Sequence, residues 1–263
     1  MQQNEKPSEY SPQEIMVASA AKEIHNREVV FVGIGLPVLA CLLAQRLHAP
    51  DMVMVYEAGV IGARPARLAL SIGDPTLASD STMIVDFHDV FALLLQRGLV
   101  DASFLGGAQV DKYGNVNSTV IGPYETPKVR LPGSGGACDL AMAKRGLIIM
   151  PHEKRRLVEK VDFVTSPGHM GGPEARKKRG TLGGGPSAVI TTLGILRFDK
   201  DTGEMYLDSC HPGVSVEEVR QNTGWDLKVS PTIRQTEPPT AEELRLLREQ
   251  IDPRGIFLKR PVG

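Results

Sequence analysis

Short unbroken apolar runs and longer apolar stretches of helical length alternate along this chain. Val29 to Val32 and Met52 to Tyr56 are runs of the kind that fill the interior of a parallel sheet. Between them lie a tight turn, Gly33-Ile34-Gly35-Leu36-Pro37, and an apolar helix predicted over Val38 to Leu47. Strand, turn, helix, strand is a βαβ unit. Upstream, Ser11-Pro12-Gln13-Glu14 is a capping box with proline at the first helical position, opening a helix to about Ile24. Downstream the pattern predicts a helix over Asp86 to Gln96 and strands at Ala102 to Leu105, Leu147 to Met150 and Val161 to Val164. Ala188 to Thr192 and Gly194 to Asp199 read as extended, and Asp201-Thr202-Gly203 before Met205-Tyr206-Leu207 reads as a hairpin turn. Two further capping boxes, Ser215-x-x-Glu218 and Thr240-x-x-Glu243, open helices; the second places Leu244, Leu247 and Ile251 on one face and ends before Pro253. The expected fold is α/β: an open, mostly parallel sheet, helices on both faces and a small antiparallel edge. No break in composition marks a boundary, so one domain is expected over residues 1–263, with a flexible tail at 1–10.

Composition narrows the partners. The 263 residues are 41% hydrophobic, enough to fill a substantial core. Thirty basic and 31 acidic residues leave a formal charge of -1, no footprint for nucleic acid or an anionic membrane. Cys41, Cys138 and Cys210 are far apart and form no C-x-x-C pair, which points to a reducing cytoplasm. Met1 to Tyr10 is polar, and the longest apolar stretch, Val29 to Ala44, is broken by Gly33, Gly35 and Pro37 and is shorter than the roughly 20 residues a span needs. Neither a secretion signal nor a membrane span is expected.

Candidate chemistry centres on Glu57, at the end of the Met52 to Tyr56 run and immediately before Ala58-Gly59-Val60-Ile61-Gly62. The carboxyl edge of a parallel sheet is where ligands bind. Two readings of Glu57 compete. Gly33-x-Gly35 with an acid 22 residues further on is part of a dinucleotide fingerprint, although the third glycine is missing and the glycines alone serve equally to turn the chain. The other is a nucleophile or base. Gly133-Ser134-Gly135-Gly136-Ala137 precedes a helix expected over Cys138 to Ala143, so its N–H groups form either an oxyanion site or a plain loop. In Gly107-Ala108-Gln109-Val110-Asp111, Gln109 is a candidate donor to a carbonyl, whereas Gly114-Asn115 is a turn signal. Lys144 to Gly180 holds ten Lys and Arg against four Asp and Glu, which suits a solvated or subunit-contacting surface better than phosphate binding. Arg64 and Arg67 read as surface arginines rather than partners of a second carboxylate. The six histidines show no metal-ligand spacing and Cys138 no base partner, so neither a metal nor a thiol nucleophile is expected.

Taken together, Val32 to Pro37, Glu57-Ala58-Gly59, Leu105 to Asp111, Tyr113 to Ser118, Gly133 to Ala137, and His152 to Arg156 with Val164 to Gly168 resemble the β subunits of class I coenzyme A transferases, those of the glutaconate CoA-transferase type in particular. The resemblance runs from about Ser11 to Phe257. It implies that fold, and it makes the dinucleotide reading improbable. It implies that Glu57 is the nucleophile, passing through a glutamyl-CoA thioester in a ping-pong transfer between two acids. Gly135, Gly136 and Ala137 are then oxyanion donors, Gln109 helps to hold the acyl group, coenzyme A is a substrate with no tightly bound cofactor, and a separate α subunit completes the acyl site. Many relatives read Ser-Glu-Asn-Gly or Glu-Ser-Gly where this chain reads Tyr56-Glu57-Ala58-Gly59, so hydrogen bonding beside the carboxylate differs. Two other readings stay open: an acyl-CoA hydrolase or decarboxylase of steroid-ring or branched-acid breakdown on the same scaffold, and a non-catalytic partner subunit.

Overall fold

Buried apolar residues on alternate strand positions face opposite sides of one large sheet, and that alternation decides where each later side chain goes. The computed structural model describes residues 10–258. The tail expected at 1–10 lies, Tyr10 apart, outside them. Strands β1 (Val29–Phe31), β2 (Val53–Val55), β3 (Val60–Ile61), β4 (Met83–Ile84) and β5 (Ala102–Leu105) form one end of a ten-stranded sheet in the order β5-β1-β2-β3-β4. From β5 it continues through Arg145–Met150, Pro186–Thr191, Gly194–Phe198, Met205–Cys210 and Lys228–Gln235. The five central strands, from β2 to Pro186–Thr191, run parallel.

The antiparallel edge is where the hairpin signal put it, with Pro186–Thr191, Gly194–Phe198 and Met205–Cys210 pairing in turn. Two features of the sheet go beyond the sequence reading. Lys228–Gln235, largely exposed and poor in apolar residues, adds a parallel strand at that edge. At the opposite edge, β2 turns back through a hairpin into β3 and β4. The strand expected at Val161 to Val164 does not form. Leu157–Val158 takes the place beside Gln109–Asp111, and Asp162 instead accepts hydrogen bonds from the Gln109 amide and the Gly122 N–H.

Helices α1 (Pro12–Lys22) and α2 (Leu36–Leu47) begin as their caps dictate. Ser11 Oγ accepts the Glu14 N–H and Glu14 returns a carboxylate oxygen to the Ser11 N–H. Ser215 makes only the first half of its box, accepting the Glu218 N–H, whereas Thr240 and Glu243 complete theirs. The helix that follows Thr240 continues as a π-helix over Leu246–Ile251. Together with α1 and α2 it buries Val30, Val32, Met54, Tyr56, Phe104, Leu147 and Ile149 on one face of the sheet. Phe31 and Val55 point to the other face, where they meet Val90 and Leu95 of the helix after β4. Ile148, Met150 and Val189 on that same side pack under Val110, Val116 and Leu157 of the small sheet.

One contact joins the first helix to the last. Glu14 is fully buried, and Arg248 reaches both of its oxygens at 2.6 and 2.9 Å.

Candidate active site

Because side chains alternate along a strand, Glu57, two residues past Val55, faces the side occupied by the Phe87 helix. The turn that carries it is sharp: the Tyr56 N–H donates to Val60 O and the Gly59 N–H to Tyr56 O. Residue 59 must be glycine, since its φ is +95° and a Cβ there would lie 1.9 Å from Val85 O. The result is a half-buried carboxylate that makes no hydrogen bond or ion pair among the described residues. The other half-buried or buried glutamates of this part of the fold are matched, Glu14 with Arg248, Glu23 with Arg197 and Glu28 with Arg145.

Opposite Glu57 is the glycine loop. A Cβ built on Gly136 would lie 3.6 Å from Glu57 Oε1, so the two residues the sequence singled out separately are neighbours. With Gly135, Phe87, His88, Phe91, Ala92, Gln96 and Asp139 they line a cleft of about 390 Å³. The loop's carbonyls are held from behind. Gly133 O accepts from Ser118 Oγ, Ala137 O from Ser166 Oγ and Leu140 O from Ser103 Oγ, at 2.7 to 2.8 Å. Gly136 O accepts the Asp139 and Leu140 N–H groups. By contrast, the Gly135 and Gly136 N–H groups donate to nothing among the described residues. Donors fixed in place and unspent are what stabilisation of an oxyanion requires.

Three expectations are corrected here. The Ala137 N–H donates to Ser134 O at 2.8 Å, so it is not a spare donor. The helix expected over Cys138 to Ala143 is a single turn, Ala137–Leu140, too short to supply a useful dipole. Gln109 does not line the cleft. It is buried in the Gln109–Asp111 strand, its amide nitrogen donating to Asp162 and its oxygen accepting from Asn117 and from the Asp162 N–H.

Other candidates take structural roles. Arg67 pairs with Asp74, and Arg64 donates to Pro50 O. Gly114 and Asn115 make the turn they signal, with Asp111 Oδ1 accepting the Tyr113 and Asn115 N–H groups. In the basic segment, Lys144 pairs with Asp101, Arg155 and Arg156 pair with Glu153, and Arg176 is buried against the carbonyls of Ala141, Pro167, Gly168, Leu182 and Gly183. Burial and the neighbouring Asp139 push the Cys138 thiol up, away from thiolate chemistry. A larger cavity of about 930 Å³, lined by Asp111, Lys112, Val164 and Met170, contains neither Glu57 nor the glycine loop. Among the described residues no helix is long and apolar enough to cross a membrane.

Sequence reasoning misses the wall contributed by Phe87, His88, Phe91 and Gln96, which reads only as a helix. That helix begins as an α-turn over Phe87–Asp89 and becomes a π-helix over Val90–Leu95, with the Gln96 N–H donating to Phe91 O. π-segments recur at functional sites, but no local signal in Val90 to Leu95 announces one.

An unpaired carboxylate set against unspent backbone donors at the carboxyl edge of a parallel sheet is an arrangement for acyl chemistry. The family model for coenzyme A transferase matches residues 14–222, and the chain belongs to that family. It is 47% identical over 242 residues to the β subunit of 3-oxoadipate CoA-transferase from Pseudomonas knackmussii, covering 92% of this chain and 93% of that one. Identity to the β subunit of glutaconate CoA-transferase from Acidaminococcus fermentans is 41% over 257 residues, 96% of each. The crystal structure of glutaconate coenzyme A-transferase from Acidaminococcus fermentans superposes with a TM-score of 0.91, at 38% identity, over 97% of this chain and 100% of that one.

Proposed function

We propose that this chain is the nucleophile-bearing β subunit of a two-subunit CoA-transferase, and that Glu57 carries the acyl and CoA groups in turn. One observation bears most of the weight: the Glu57 carboxylate is unpartnered among the described residues and lies against Gly136 in a cleft with two spare N–H donors.

A carboxylate oxygen of Glu57 attacks the thioester carbonyl of an acyl-CoA, and the tetrahedral oxyanion is held by the Gly135 and Gly136 N–H groups. Each well-placed donor of this kind is worth about 3 kcal/mol. The C–S bond breaks, CoA thiolate leaves and a mixed anhydride remains on Glu57. The thiolate then attacks the glutamyl carbonyl, the first acid departs as carboxylate and Glu57 becomes a CoA thioester. A second carboxylate runs the two steps in reverse, so no proton need be gained or lost over the cycle. Because each Glu57 adduct is still an activated acyl group, the thioester's free energy is retained provided water is excluded. The cleft is open on one side in the single chain, consistent with a partner subunit that closes it.

The named relatives act on 3-oxoadipate and glutaconate, both dicarboxylic. A dicarboxylic acyl group is therefore the proposed substrate class. The test is the intact mass of this chain, purified with its α partner and mixed with a panel of acyl-CoAs. A CoA-sized adduct on the native chain, absent from Glu57→Gln, is the expected result; steady consumption of an acyl-CoA with no adduct and no acceptor acid would overturn the reading in favour of hydrolysis or decarboxylation.

A further inference from the structure

The cleft contains a second carboxylate, and it is held. Asp139 Oδ1 accepts a hydrogen bond from Gln96 Nε2 at 2.5 Å, and its Oδ2 accepts from the Cys138 thiol at 3.4 Å. Gln96 is the residue at which the π-helix ends, its N–H returning five residues to Phe91 O at 2.9 Å. In an α-helix, residues five apart point about 140° away from one another, as 3.6 residues per turn requires. The i→i+5 bonding here brings Phe91 and Gln96 to the same side. Both then reach the glycine loop: the Phe91 ring packs against Gly136, and the Gln96 amide holds Asp139. Gly136 and Asp139 are the two ends of one turn, closed by the Asp139 N–H donating to Gly136 O at 3.1 Å.

We propose that Gln96 is a positioning residue for the transfer reaction. Acting through Asp139, it fixes the turn that presents the Gly135 and Gly136 N–H groups to the acyl oxygen, and it keeps the Asp139 charge turned from the oxyanion that forms beside Glu57. The π-segment is the device that allows one helix to hold both ends of that turn. The inference rests on the reading of Glu57 as the acyl-accepting group, since only then does an oxyanion develop here.

The experiment uses the αβ complex with Gln96→Ala, Gln96→Glu and the exchange Gln96→Glu/Asp139→Asn. Gln96 is exposed, so these changes leave the fold intact. Glu57-dependent turnover by the native complex is established first; its absence would sink the reading of Glu57, and this inference with it, before any Gln96 variant is made. Given that turnover, Gln96→Ala lowers kcat roughly 10-fold, the scale of a charge-assisted hydrogen bond, while KM for the acyl-CoA moves less than about 2-fold, because the oxyanion exists only in the transition state. Gln96→Glu sets two carboxylates face to face. Its activity recovers as pH falls and the pair takes up a shared proton, a pH dependence the native complex lacks. The exchange swaps donor and acceptor and restores kcat. Gln96→Ala with native kcat, or an exchange variant no faster than Gln96→Glu, would refute the proposal.

Discussion

The ring of Phe91 fills the space in which a side chain on residue 136 would sit: a Cβ on Gly136 would fall 2.6 Å from the ring's Cε1 and Cζ. The same Cβ would stand 3.6 Å from Glu57 Oε1. One position therefore governs both the wall of the cleft and the space beside the carboxylate.

Gly136→Ala separates activity from stability. The φ at 136 is -80°, which alanine adopts without strain, and the obstructing atoms are the far end of a side chain that can swing. The expected loss of stability is about 1 kcal/mol or less. The methyl group, however, occupies the place of the acyl oxygen, and a displacement on the order of 1 Å costs about 100-fold in rate. Measurement of kcat/KM alongside Tm checks this. A variant with native kcat/KM would show that the acyl group binds elsewhere.

Glu57 and Glu14 should respond oppositely to removal of their charge. Glu57→Gln breaks no bond among the described residues, so its Tm is expected to stay within about 1 °C of native while CoA transfer is lost. Glu14→Gln leaves Arg248 without this carboxylate beside a buried amide, and a cost of about 3 kcal/mol is expected in denaturant unfolding. Burial alone would raise the Glu14 carboxyl, but Arg248 and the Ser11 N–H outweigh it and hold it below the ordinary glutamate range. A carboxyl depressed in the folded state stabilises at neutral pH, and its contribution is lost as pH falls through and below that range. Equal Tm shifts for the two variants would contradict this account.

Stability should also fall between pH 6.5 and 5, where carboxylates have scarcely begun to titrate. His152 is buried between the Thr191 and Thr223 hydroxyls, with no carboxylate beside it, and burial lowers its pKa to about 4 from an ordinary 6.5. Burial likewise lowers His169 and His211. In that window the unfolded chain binds protons that the folded chain refuses, so stability rises with pH, by up to about 1.4 kcal/mol per pH unit for each such histidine. Urea unfolding across the window reads the slope. His152→Asn should remove roughly one histidine's share of it, and an unchanged slope would assign the effect to the other two.

Much of this architecture is legible because it depends on local rules. Val29 to Val32 and Met52 to Tyr56 announce buried parallel strands, Ser11 and Glu14 a helix start, and Asp201-Thr202-Gly203 a hairpin. Glu57 could be picked out because an acid following a buried strand has few structural reasons to be there. What the chain does not announce is set by partners distant in sequence. Gln109 is a plausible donor until Asp162 and Asn117 claim its amide. Ala137 sits among promising glycines, but its N–H closes a turn on Ser134. Val161 to Val164 has the composition of a strand, yet Leu157–Val158 occupies the pairing edge. Gln96 enters the cleft only because the helix widens its turn, and that depends on how Phe91 meets Phe31, Phe87 and Gly136.

The Glu14–Arg248 contact also sets a timetable for biosynthesis. The pair is separated by 234 positions, so at roughly 5–20 residues per second the carboxylate waits about 12–47 s on the ribosome for its guanidinium. Until then the first helix cannot bury Glu14 without stranding a charge. The N-terminal layer, which is made first, is thus among the last parts of the molecule to settle, and a nascent chain interrupted before residue 248 presents that layer's apolar face to chaperones and proteases.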